Sequence, residues 1–214
     1  MSLLTDGIAE MGLQCSRECV AGLDAYLCEL ELWNRRQDLV KAVGDQLVTK
    51  HLLDSLSGLP ILSSLPHESI ADVGSGAGFP GIPIALCLPD SRVSLIERSS
   101  KRASFLRNAV ALLGLRGRVE VIEGELESIH EGFSIVTFRA FRDLPKFARA
   151  LFGITRSGGA VVAFKGRRAI VEAELSRVGS LIESSEIHPV RVPGMDEERN
   201  IVVIRPKPEL TSIR

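Results

Sequence analysis

Aromatic side chains are scarce in this 214-residue chain, which has eight Phe, one Tyr and one Trp. That is too few to build a platform on which splayed bases stack, and Trp33 reads as a cover for the core. Cysteine is scarce as well, with Cys15, Cys19, Cys28 and Cys87 only. No C-x-x-C pair and no neighbouring histidine accompany them. They read as buried thiols in a reducing compartment, neither a disulfide framework nor a zinc site, and no metal is expected. No apolar run approaches the roughly 18–20 residues of a membrane span. The opening MSLLTDGIAEMG lacks a basic start followed by a long apolar stretch, so it does not read as a secretory signal and the cytoplasm is the expected location. Charge of one sign is missing too. The 26 basic and 27 acidic residues leave a formal net charge of −1, which argues against a protein that coats nucleic acid indiscriminately.

What is present is an ordered alternation. Residues 16–34 place Val20, Leu23, Leu27, Leu30 and Leu32 near helical spacing behind a capping Ser16. A second helix is predicted over 45–58, and 59–68, with Pro60 and Pro66, reads as a linker. Short β-branched runs then recur at 69–73, 92–97, 118–123, 133–138 and 158–164, with helical patterns over 100–113, 144–153 and 168–184 between them. Two last runs, 188–192 and 200–205, are separated mainly by PGMDEER (193–199), too short for a crossover helix. Strands alternating with helices imply a mainly parallel, doubly wound α/β sheet covered on both faces, and the final pair implies an antiparallel ending. About seven strands follow. Residues 1–65 form an expected helical extension, and 66–214 the sheet domain.

The strongest local signal is DVGSGAGFPGIP at 72–83. A strand ends at Asp72-Val73, and Gly74, Gly76, Gly78 and Gly81 let the chain turn and let a ligand approach the backbone. Gly76-Ala-Gly78-Phe-Pro-Gly81 also matches the dinucleotide fingerprint G-x-G-x-x-G. The unit beginning at Asp72 favours a different ligand. A carboxylate there attracts an ammonium or sulfonium and repels a pyrophosphate, so S-adenosylmethionine is the preferred reading over a dinucleotide or a purely structural turn. Glu97 ends the next strand, where doubly wound folds bind ribose hydroxyls, a role common to both ligands. Leu126 and Glu127 follow the third strand and could meet an adenine.

Basic residues gather near the predicted strand ends: Arg98, Lys101 and Arg102; Arg139 and Arg142; Lys165, Arg167 and Arg168. Around a methyl donor they suggest a polyanionic acceptor such as RNA, although lysines and arginines are also ordinary surface residues. No D/N-P-P-Y/F clamp for an exocyclic amine is present. Nor does a cysteine stand where a pyrimidine-C5 nucleophile should be. Both absences favour an acceptor that already carries a free lone pair.

The ordered motifs LWNRRQDLV (32–40), KHLLDS (50–55), DVGSGAGFPGIP, KRASFLRN (101–108), FRAF (138–141), AFKG (163–166) and ERNIVVI (198–204) together resemble the bacterial small-subunit ribosomal RNA guanine-N7 methyltransferase family. The resemblance implies a class I methyltransferase fold, S-adenosylmethionine as cofactor, and 16S ribosomal RNA or the small subunit as partner, with a monomeric enzyme expected. It places Gly74 and Phe79 at the cofactor, Leu126 and Glu127 at its adenosyl part and Arg139 beside the donor or the RNA. Gly76, Gly78 and Glu97, read from the loop and the strand end, join them as cofactor-binding residues. Arg139 and Lys165 would position the acceptor, with no general base, while His51 and Asp54 either close over the site or pack helices. The chain departs from the family pattern at Asp38-Leu39-Val40 and at Asn200. The remaining alternatives are a same-fold methyltransferase acting on another RNA, a small molecule or a protein, a non-catalytic RNA-binding factor, and a nucleotide-dependent oxidoreductase.

Overall fold

A computed structural model describes residues 2–139 and 143–212. The β-branched runs become β1 (Ser69–Val73), β2 (Arg92–Glu97), β3 (Val119–Glu123), β4 (Phe133–Arg139), β5 (Thr155–Lys165), β6 (Ile182–Val190) and β7 (Arg199–Pro206). They form one sheet in the order β3-β2-β1-β4-β5-β7-β6. β1 to β5 pair in parallel, and β7 alone runs antiparallel, against both β5 and β6. The expected doubly wound sheet with an antiparallel last strand is therefore present. β6 starts earlier than the sequence pattern suggested, taking over the end of the stretch read as amphipathic to residue 184. It is an edge strand and mostly exposed, so it needs no apolar run to mark it.

Helices cover both faces. Along the N-terminal third run α1 (Leu3–Glu10), α2 (Arg17–Gln37), α3 (Asp45–Leu47), a π-helical segment Val48–Leu53, α4 (Asp54–Leu56) and α5 (Leu59–Ser64). α6 (Gly81–Cys87) and α7 (Ser100–Leu112) join them, while α8 (Leu144–Gly153) and α9 (Arg168–Val178) take the opposite face. Neighbouring β4 residues show the division: Ile135 packs with Tyr26, Leu53, Ile82 and Phe105 in one core, and Val136 packs with Phe152, Val161 and Val171 in the other. The N-terminal helices thus share a continuous core with the sheet. Trp33 lies edge-on to Phe105, with ring centroids 5.6 Å apart.

Two local readings change. The segment 59–68 is not simply a linker, because α5 occupies Leu59–Ser64. Pro60 stands in the first turn, where its missing N–H leaves no bond unmade. The helix expected over 45–58 is interrupted by the π-helical segment, a geometry often found where a helix must present side chains to a site. At the end of α2, Asp38 adopts φ 48°, and the Asn34 amide bonds both the N–H and the carbonyl of Val40. This side-chain bridge closes the turn that Asp38-Leu39-Val40 must make.

The glycine-rich loop leaves β1 and enters α6. Gly74, Gly76 and Gly78 all have positive φ, which other residues adopt only at a cost. Gly81 is needed for another reason. A β-carbon there would collide with Leu95 and come within 2.6 Å of Asp72 Oδ2, the atom that accepts the Gly81 N–H at 2.9 Å. Gly81→Ala should therefore cost about 1–3 kcal/mol in urea unfolding, the usual range for forcing a methyl into a filled core. A variant as stable as the native chain would mean that α6 does not pack this tightly on β2.

Candidate active site

In a sheet of this order the crossovers turn in opposite directions from β1 and β4, and the carboxyl ends of these strands bound a crevice. A cleft of about 680 Å³ lies there, within the size range of small-molecule sites. Its lining includes Gly74, Glu97, Gly124, Leu126, Glu127 and Arg139. Five sequence-predicted residues, far apart in the chain, are thereby brought to one place. Gly74 and Gly124 offer bare backbone, and Leu126 offers a buried apolar surface. Glu97 is buried, and its carboxylate accepts the N–H of Gly76 at 2.9 Å and that of Ser99 at 2.8 Å. Each oxygen keeps a second lone pair for a hydroxyl donor. A pyrophosphate at this position would face that carboxylate, whereas a ribose or a cation is favoured.

Asp72 acts from beneath. It is fully buried and does not line the cleft. One oxygen ties down Gly81, and Oδ1 is buried with no hydrogen-bond partner among the described residues. The Asp72 bond to the Gly81 N–H fixes the way the loop enters α6, a shaping role where the sequence suggested direct attraction of a cation. Gly76 and Gly78 likewise shape the loop and do not line the cleft. Gly78 lies where a β-carbon would come within 3.0 Å of the Tyr26 hydroxyl, which itself donates to the Ala77 carbonyl at 2.5 Å.

Arg139, at the end of β4, organises the rim. Its Nη1 donates to the Lys50 carbonyl at 2.9 Å and to Asp54 Oδ2 at 3.0 Å, and its Nη2 lies 2.5 Å from His51 Nδ1. Its guanidinium stands 5.3 Å from the Phe79 ring centroid, and the His51 ring is 5.2 Å from the same ring. Phe79 is buried and forms the floor under this pair. The π-helical segment carries Lys50 and His51 toward the strand end, and Asp54 follows one turn later. Arg199 was not singled out by sequence reasoning, yet its Nε donates to Asp54 Oδ1 at 3.1 Å. Only the antiparallel direction of β7 could have revealed it, because that direction puts the first residues of β7 at the carboxyl edge of the sheet. Next to it, the Asn200 amide donates to the Gly166 carbonyl at 2.6 Å.

Lys165 is not brought to Arg139. It points toward α9, where its Nζ pairs with Glu174 at 2.7 Å and stands 5.4 Å from the Phe138 ring centroid. Phe138 belongs to the core on the opposite face of the sheet from His51 and Phe79. Arg98 and Arg102 do line the cleft, Arg98 in an exposed pair with Glu125 at 3.7 Å. Arg142 and the last two residues of the FRAF motif lie outside the described residues.

Two groups, His51 at the rim and Asp72 beneath the loop, have displaced acidities with opposite consequences. Burial, helped by the charge of Arg139, lowers His51 from 6.5 to about 4, so its imidazole is neutral at physiological pH and can accept from Arg139. Burial raises Asp72 from 3.8 to about 7, against the opposing bond from Gly81. The His51 contribution to stability is present above 6.5 and is lost as pH falls through about 4. The Asp72 contribution is present below 3.8 and is lost as pH rises through about 7. The two slopes cover nearly the same window and oppose each other. In urea melts across that window, Asp72→Asn should make stability rise more steeply with pH than in the native chain, and His51→Gln should make it rise less. Parallel curves for all three proteins would show that neither group is displaced.

Comparison with known proteins agrees with this geometry. The family described as rRNA small subunit methyltransferase G (GidB) matches residues 20–202. A ribosomal RNA small subunit methyltransferase G from Aromatoleum aromaticum is 38% identical over 209 residues, covering 94% of this chain and 96% of that one. The protein of the same name from Neisseria meningitidis is 36% identical over 203 residues, with the same coverage. Among solved structures, an O-methyltransferase from Bacillus cereus in complex with SAH matches in fold with a TM-score of 0.62 at 19% identity, covering 84% of this chain and 90% of that chain. A predicted O-methyltransferase from Agrobacterium tumefaciens matches with a TM-score of 0.57 at 28% identity, covering 72% and 79%. The sheet order, the glycine-rich loop over an enclosed carboxylate and these relatives agree: the chain belongs to the rRNA small subunit methyltransferase G family.

Proposed function

We propose that this chain transfers the methyl group of S-adenosylmethionine to N7 of a guanine in 16S ribosomal RNA. The observation that carries the reading is the convergence of Gly74, Glu97, Leu126, Glu127 and Arg139 on one cleft at the strand ends, in a chain of this family. When bound, S-adenosylmethionine supplies an electrophilic methyl on a sulfonium, and the chain supplies the rest. Gly74 lets the methionyl part lie against the backbone. Glu97 accepts from the ribose hydroxyls, Leu126 packs on the adenine, and Glu127 stands at its polar edge. Gly76 and Gly78 hold the loop in shape, and the buried Asp72 ties it to α6 through the Gly81 N–H.

Guanine N7 carries an unprotonated lone pair that points into the major groove. Its attack forms the N–C bond as the C–S bond breaks, with no proton to remove. Alignment and electrostatics therefore provide the catalysis, not a general base. Arg139 is the positioning residue, resting on Phe79 and His51 at the cleft wall. Lys165, committed to Glu174 on the other face, supports the β5 end and reaches RNA only if that pair opens. Arg98 and Arg102 meet phosphates at the outer edge. The chain works as a cytoplasmic monomer, where its RNA partner is found.

Calorimetry should show S-adenosylmethionine binding to the native chain and no heat with Gly74→Asp, because a second carboxylate would fill the space against the backbone. Arg139→Ala should lower kcat/KM on small subunits by about 100-fold, in the range of losing one oriented charged donor, while the circular dichroism spectrum stays native-like. Ribosomal RNA from cells lacking the protein should miss one N7-methylguanosine. An unchanged methylation map, or an Arg139→Ala enzyme of native activity, would defeat the assignment.

A further inference from the structure

Three of the four cysteines meet in space. Cys15 lies just before α2, Cys19 in its first turn, and Cys87 at the end of α6. Their sulfurs all lie within 4.8 Å of one another, and Cys19 Sγ is 2.8 Å from Cys87 Sγ across 68 positions of sequence. We propose that Cys15, Cys19 and Cys87 form a binding site for a thiophilic d10 cation, Zn²⁺ or Cu⁺, separate from the methyl-transfer cleft. This departs from the sequence expectation that no metal is bound, which rested on the lack of a C-x-x-C pair and of a neighbouring histidine.

The chemistry of the donors decides the class of ion. Three thiolates and no oxygen donor select soft cations and exclude Mg²⁺ and Ca²⁺. With metal–sulfur bonds of about 2.3 Å, sulfurs around one ion stand roughly 4 Å apart. All three lie within reach of a common ion, but Cys19 and Cys87, 2.8 Å apart without one, would have to separate by about 1 Å to bind it. Among the described residues no histidine or carboxylate completes the group, so a fourth position would fall to water or a small thiol. A disulfide would use two sulfurs and leave the third without a role. Access is available as well: Cys19 is buried, but Cys15 and Cys87 are only half-buried. Each thiol gives up its proton on binding, so acid should release the ion.

The position gives the site a consequence. α6 begins at the glycine-rich loop, and Cys87 is its last residue. Gly22 of α2 packs so closely on α6 that a β-carbon there would come within 2.8 Å of Leu86 Cδ2. A bound ion would clamp the start of α2 to the far end of the helix that carries the loop, adding metal binding to folding stability.

The test uses the full chain, reduced with a phosphine and freed of metal by chelation. Titration with Co²⁺ should raise a thiolate-to-metal charge-transfer band that saturates at one equivalent and is bleached by Zn²⁺. A parallel competition against a chromogenic Cu⁺ chelator tells whether Cu⁺ or Zn²⁺ is held more tightly. Cys15→Ser and Cys87→Ser should each lose the band while keeping a native circular dichroism spectrum, and Cys28→Ser should keep it. Zn²⁺ should raise the Tm of the native chain but not of Cys15→Ala. The proposal is overturned if the native chain shows no band, if the band survives Cys87→Ser, or if it is lost with Cys28→Ser. It is also overturned if protein isolated without reductant proves two hydrogens lighter, with Cys19 and Cys87 joined and no metal taken up on reduction.

Discussion

Asp54 is gripped from both sides by guanidinium groups, Arg139 at 3.0 Å and Arg199 at 3.1 Å. This half-enclosed triad ties the N-terminal helices to the end of β4 and the start of β7. A carboxylate so placed is stable only because two cations and good hydrogen-bond geometry offset its loss of water, and the cations depend on it equally. With Asp54 in place, Arg139 is held over Phe79 and against His51, and the cleft acquires a fixed positive wall. The helical extension is thus a working part of the site. It supplies the anion that orients Arg139 at the cleft wall.

Charges of both signs line the cleft. Asp72 is wholly buried beneath the glycine-rich loop and Glu97 is bonded to its backbone, while Glu125 is exposed beside Arg98. Arg139 is largely enclosed, and Arg98 and Arg102 are exposed. This local grouping of arginines makes an overall charge of −1 compatible with an RNA substrate. Long-range attraction is weak, so binding must come from the local arrangement at the cleft mouth.

Much was legible in the sequence because strands and glycine turns obey local rules. Runs of β-branched residues become buried parallel strands since both faces are covered, and β1 and β2 coincide with the segments read from pattern alone. The short PGMDEER connection permits only a reversal, so the antiparallel β7 was also determined locally. Glycines with positive φ at 74, 76 and 78 mark a turn that no other residue makes cheaply, and Glu97 at the end of the next strand puts a carboxylate in the cleft. Fold class, cofactor class, Gly74 and Glu97 follow from these features, whereas Leu126, Glu127 and Arg139 were placed at the site by the family resemblance.

Only the tertiary structure decided where side chains point and which distant groups meet. Lys165 and Arg139 both end parallel strands, yet they leave opposite faces of the sheet, because each strand alternates its side chains and one-residue differences in strand ends exchange the faces. Arg199 reaches Asp54 across 145 positions, and Cys87 reaches Cys19 across 68; no spacing rule covers either distance. The acidities of His51 and Asp72 depend on burial, which is set by the assembled core and not by neighbouring residues in the chain. Sequence specified the framework through short-range stereochemistry and pattern, and packing specified the partners, because electrostatic and hydrogen-bonded contacts depend on distance in space.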